Sequence, residues 1–153
     1  MLLPRRLRNF ARLSPRERAL AVRALGLLAV IRVLLLVRAF PRVRRFTEWL
    51  AGEQALREDA AYAVEVRRAV ARAAAMVPDA RCLAQALTAE VLLRRAGCTA
   101  RTTIGVARDG RPLEAHAWVE SAGVIVSGAA TDLDRYQRLA VFGDPGATGE
   151  RGD

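Results

Sequence analysis

The sequence predicts an α+β domain in which helices come first and a small antiparallel sheet follows. Three observations carry this. Apolar residues recur at helical spacing as far as Ala96, and the texture turns β-branched from Thr99 onward. Asp109-Gly110 and Ala122-Gly123 then sit where tight turns between strands belong. The 153 residues suit one domain, large enough to bury roughly two-thirds of its unfolded surface.

Ser14-Pro15-Arg16-Glu17 reads as an N-cap, a proline at the first helical position and an acid in the first turn. A long helix should follow to about Val37 or Arg38 and end before Pro41. Leu20, Leu27, Ile31, Leu34 and Leu35 mark an apolar side, which Leu28, Val30, Val33 and Leu36 broaden. Such a helix is buried around much of its circumference or covered by a partner. Pro41 breaks it, leaving Val43 to Leu50 for a short turn or helix.

A second helix is expected from about Glu53 to Met76, with Ala55, Tyr62, Val66, Ala69, Val70 and Ala73 at helical spacing and Pro78 as its stop. Asp79 is placed to cap a third over roughly residues 80–96, where Leu83, Leu87 and Val91 share a side and Gly97 ends it. Strands follow at Thr99 to Arg108, about Arg111 to Ser121, and Val124 to Ser127. Thr131 to Phe142 is open between a short helix and a loop ahead of a last strand. Residues 143–153 form a Gly/Pro/acid-rich tail, read as flexible.

Charge is unevenly spread. Residues 1–45 hold 12 arginines against one acid, Glu17, a net +11, whereas residues 46–153 hold 13 arginines against 15 acids, a net −2. The basic arm can meet phosphates, anionic lipid or an acidic partner. It lacks interleaved aromatics, so nucleic acid is not an expected partner. All 25 basic residues are arginine, so the chain has no lysine to offer as an amine acceptor or Schiff-base former.

Ala24 to Phe40 is the most apolar stretch, but Arg32 and Arg38 interrupt it, which argues against a membrane span. A peripheral membrane contact through the arginine-rich N-terminal helix is the alternative. Two cysteines, Cys82 and Cys98, are too few for a disulfide framework, and no secretory signal with a cleavage site is visible. The reducing cytoplasm is the expected compartment.

Chemistry concentrates in two places. Cys82 opens the third helix, where unpaired N–H groups and the helix dipole stabilise a thiolate. His116, the only histidine, lies in the second strand. A histidine within reach takes the thiol proton and later returns it to a leaving group. Alternation puts Glu114, His116, Trp118 and Glu120 on one face of that strand and Ala115, Ala117 and Val119 on the other. Trp118 either shields the imidazole, lines a substrate groove or fills the edge of the core. Cys98, after the helix-ending Gly97, reads as a packing residue. One histidine and two cysteines do not make a zinc ligand set, and no metal or cofactor is expected.

The runs Cys82-Leu83-x-x-Ala86-Leu87, Leu92-Leu93-Arg94-Arg95-Ala96-Gly97, Ile104-Gly105-Val106 and Ala115-His116-Ala117-Trp118-Val119-Glu120 resemble the transglutaminase-like leader peptidases of lasso-peptide biosynthesis. These correspond to the C-terminal half of the maturation B protein. The match spans about residues 80–128. It implies a transglutaminase-like, papain-like core over residues 51–142, on which residues 1–50 pack as a basic helical arm. It also implies a cysteine peptidase with Cys82 as nucleophile and His116 as general base and acid. The enzyme would cut the leader from a ribosomally made precursor peptide. A separate leader-recognition protein would present that leader, because 153 residues leave no room for both domains. A macrolactam-forming cyclase would then join the freed amine to an acidic side chain.

One position departs from the family. An aspartate often stands 12 residues after the histidine to orient it, and here that residue is Gly128. Asp132 or Asp134 can curl back, Asp132 being preferred, and a backbone carbonyl or a water is another way to hold the ring. The departure also supports a second reading, an inactive scaffold of the same fold that binds peptide or cyclase. Acyl transfer to an amine is a third.

Overall fold

The computed structural model describes residues 10–107, 112–129 and 132–143. Among these residues four helices, Pro15–Val37 the first, lead into a four-stranded antiparallel sheet, the α+β arrangement expected from the sequence.

Helix α1 (Pro15–Val37) starts as its sequence dictates. The Glu17 amide donates to Ser14 Oγ at 3.2 Å and the Ser14 amide donates to Glu17 Oε2 at 3.0 Å, a reciprocal capping box. Leu20, Ala24, Leu28 and Ile31 pack into the main core. By length and composition α1 is also apolar enough to cross a membrane, an 18-residue window within it having a mean hydropathy of 2.4.

Helix α2 (Phe40–Ala51) is a full helix, and Pro41 lies in its first turn. Proline is tolerated there because the amide it lacks would have had no partner in the helix. Gly52, at φ +67°, ends it.

Helix α3 (Ala60–Ala74) is shorter than the expected 53–76. Residues 53–59 are instead non-helical, and Arg57 bridges to the exit of the next helix. The Arg57 amide donates to Gly97 O at 2.8 Å and the Thr99 amide to Arg57 O at 2.9 Å. Asp59 then caps α3, accepting from the Tyr62 amide at 2.9 Å. A long-range pairing has overridden local helical spacing.

Helix α4 (Cys82–Arg95) is the centre of the molecule. It packs against α1, α2, α3 and the sheet, and Ala86 to Leu93 are buried without a break. That run includes Glu90, 2% exposed, whose Oε2 accepts from Arg44 Nη1 and from Thr102 Oγ1, each at 2.6 Å. One buried carboxylate therefore joins α2, α4 and the sheet. Gly97, at φ +70°, stops the helix.

The strands are β1 (Arg101–Ala107), β2 (Glu114–Ser121), β3 (Val124–Ser127) and β4 (Gln137–Phe142), in the order β3-β2-β1-β4. Ala122 and Gly123, at φ 48° and 75°, make the two-residue turn read from the sequence. Asp109-Gly110 lies outside the described residues. The ambiguous Thr131 to Phe142 resolves into a short 3-10 turn, Leu133–Arg135, followed by β4.

Because β3 and β4 occupy opposite edges, the chain between them crosses a face of the sheet. The helices cover the other face, where Ala117, Val119 and Val126 join the main core. On the crossing face Ala107, Trp118 and Tyr136 form a second cluster with Leu133 beside it. Gly105 makes room for it: a Cβ there would lie 3.0 Å from Tyr136 Cβ and 3.1 Å from Trp118 Cζ3.

Candidate active site

Cys82 is the first residue of α4, and its thiol is free and half-buried. The expected cap does not form. Asp79 takes a left-handed conformation at φ 52°, and Arg81, the N-cap residue, makes no side-chain cap hydrogen bond. The helix therefore starts two residues later than the sequence suggested, at the cysteine itself. The first bond into the helix is from the Gln85 amide to Arg81 O at 3.2 Å. The first-turn amides ahead of it have no side-chain cap, the arrangement that stabilises an anion at a helix start. Gln85 also steadies this turn, its Nε2 donating to Ala80 O at 2.6 Å.

His116 stands on the crossing face of β2, opposite Gly105 of β1. Its Nε2 is 2.8 Å from the Gly128 carbonyl oxygen. A carbonyl only accepts, so Nε2 carries a proton, and the neutral form of the ring has its lone pair on Nδ1. Trp118 stacks beside the imidazole, with ring centroids 6.1 Å apart, and Tyr136 lies 5.3 Å away on a tilt. Trp118 is only 3% exposed. It backs the imidazole and leaves little surface to a substrate.

Gly128 occupies the position of the missing aspartate and supplies the orienting contact through its backbone. It sits at φ +76°, and a Cβ would fall 2.3 Å from Ala117 O and 2.9 Å from Trp118 Cα. Only glycine fits this exit from β3. A register shift between Val119 and Glu120 in the β2–β3 pairing separates this arrangement from a regular hairpin.

Asp132 is placed elsewhere. Its Oδ2 pairs with Arg135 Nε at 3.1 Å, and its side chain is 59% exposed. Arg135 also pairs with Glu114, and the Tyr136 hydroxyl donates to Glu114 Oε1 at 2.6 Å. The Tyr136 hydrogen bond, with help from Arg135, holds the Glu114 carboxyl below its ordinary range. This network fastens the crossing segment to the start of β2, next to His116. Alternation placed Glu114 on the histidine's face, but no sequence signal pointed to Tyr136 or Arg135 as its partners.

The two candidate residues lie at the same end of the sheet but over different faces: Cys82 packs with the helices on one, and the His116 ring stands with Trp118 and Tyr136 on the crossing face. The connection from α4 to β1 is short and β2 is antiparallel to β1, so α4 and β2 run the same way. The Glu90–Thr102 bond sets their register. Cys82 precedes Glu90 by about 12 Å of helix, and His116 precedes Val119, the partner of Thr102, by about 10 Å of strand. No hydrogen bond joins the two side chains among the described residues. Cys98 contrasts with Cys82: it is fully buried, and burial pushes its thiol pKa up.

A family model described as the transglutaminase-like superfamily matches residues 27–141, from the middle of α1 to the last strand. The chain belongs to the transglutaminase-like superfamily. That superfamily includes cysteine peptidases, and its members are often cysteine-dependent enzymes. Neither the curated proteins nor the solved structures yield a match. Both Cys82 and His116 lie inside the transglutaminase-like match, as does the unusual Gly128.

Proposed function

We propose that this transglutaminase-like chain is a cysteine peptidase that removes the leader from a lasso-type precursor peptide. The observation that carries the reading is the 2.8 Å contact from His116 Nε2 to Gly128 O. It leaves Nδ1 as the base, while Cys82 waits at an uncapped helix start. Nδ1 removes the Sγ proton, and the thiolate attacks the carbonyl at the leader–core junction. The first-turn amides of α4 are the natural donors to the oxyanion. Protonated His116 then gives its Nδ1 proton to the departing amine, which frees the core peptide. Water, deprotonated by His116, cleaves the acyl-enzyme and releases the leader with a free carboxylate.

The lasso assignment rests on the motifs from Cys82 to Glu120. A leader-recognition protein would present the precursor, and a macrolactam-forming cyclase would take the freed amine. The second reading, a binding scaffold, draws on the same contact. A carbonyl orients an imidazole but offers no charge to stabilise the imidazolium, so catalysis would be weaker than with a carboxylate.

Thiol alkylation separates the two readings. Near neutral pH Cys82 should react faster than Cys98, and exposure alone would give that order. The deciding result is the His116→Ala variant. The peptidase reading expects Cys82 alkylation to slow about tenfold or more, whereas an unchanged rate favours the scaffold.

A further inference from the structure

We propose that the outer face of α1 docks onto the surface of an anionic lipid bilayer. Helix α1 has two apolar sides. Ala24, Leu28 and Ile31 are fully buried against the domain. On the other side Val22, Val30, Val33, Leu36 and Val37 are 48–66% exposed. Gly26 and Ala29 fall between them on the same stripe, which runs for about 23 Å of helix. A soluble helix normally turns charge outward, yet Arg23 is the only charged residue exposed along this stretch of α1.

The charges gather at the two ends. Arg12, Arg16 and Arg18 are exposed at the start of the helix, and Arg38, Arg42 and Arg45 just beyond its end. Glu17, the only acid among residues 1–45, is held by Ser14 in the capping box. An apolar stripe between two arginine clusters complements a bilayer surface: valines enter among the acyl chains while guanidiniums reach lipid phosphates. The same pattern disfavours a second copy of this chain, because either orientation would set arginines against arginines. The inner face of α1 remains in the core, so the helix lies along the membrane and does not cross it. None of this depends on the chemistry at Cys82.

Flotation of the full chain with vesicles tests the proposal. Vesicles of equal parts phosphatidylcholine and phosphatidylglycerol should carry the protein, those of phosphatidylcholine alone should not, and raised salt should weaken binding. Val33→Glu, at an exposed site, should abolish flotation with the circular dichroism unchanged. Replacing Arg38 and Arg42 by glutamine should weaken it about fivefold per arginine, which gives a second readout if Val33→Glu perturbs folding. Absent or charge-independent binding would overturn the proposal. So would a dimer in sedimentation velocity that Val33→Glu dissolves, which would assign this face to a second copy.

Discussion

Gly128 joins two requirements at one residue. Its positive φ lets the chain leave β3 beneath Ala117 and Trp118, and that same turn aims its carbonyl at His116 Nε2. Gly128→Ala should therefore cost about 2 kcal/mol or more of stability. It should also displace the His116 contact, read as a fall in both Tm and Cys82 reactivity. Wild-type values for both would contradict the geometry. The positions of Cys82 and His116 were legible in the sequence because each sits in a local pattern, a helix start and an alternating strand. The orienting contact was not. It comes from a backbone atom, and backbone atoms leave no residue type to read. Asp132 was the natural guess from sequence, but a nearby arginine, Arg135, holds it.

Among the elements, α4 decides most. Its spacing of Leu83, Leu87 and Val91 suggested one buried side, yet the helix is wrapped by three others and the sheet, so Glu90 is buried too. Nothing in the sequence marks that carboxylate as internal, because its partners Arg44 and Thr102 come from distant segments. Removing it leaves Arg44, itself only 7% exposed, without its buried partner and with only the half-exposed Glu48 to pair with. Glu90→Ala should destabilise the fold by about 3–5 kcal/mol in denaturant titrations, and pairing Glu90→Leu with Arg44→Met should recover most of that loss. Equal losses in the single and double variants would show that the ion pair is not what α2 and α4 share. The same limit explains the misplaced start of α3. Residues 53–59 carry helical spacing, but Arg57 hydrogen-bonds to Gly97 and Thr99, a pairing that a local pattern cannot reveal.

At the scale of the molecule, the order of helices before sheet was legible throughout, because helical spacing and β-branched texture occupy separate stretches of the chain. What the order could not reveal is the use of the two sheet faces. Helices cover one, and the crossing segment between β3 and β4 fastens Tyr136 and Arg135 over the other, beside His116. The apolar breadth of α1 was also visible, and the fold divides it into a buried side and an exposed one. The central claim is that this transglutaminase-like frame holds Cys82 and His116 for peptide cleavage. Mass spectrometry of a lasso-type precursor incubated with the chain and a leader-recognition protein tests it most directly. Intact leader and free core are expected from the wild type and neither from Cys82→Ala or His116→Ala. A folded wild-type chain that binds the precursor and leaves it whole would contradict the claim.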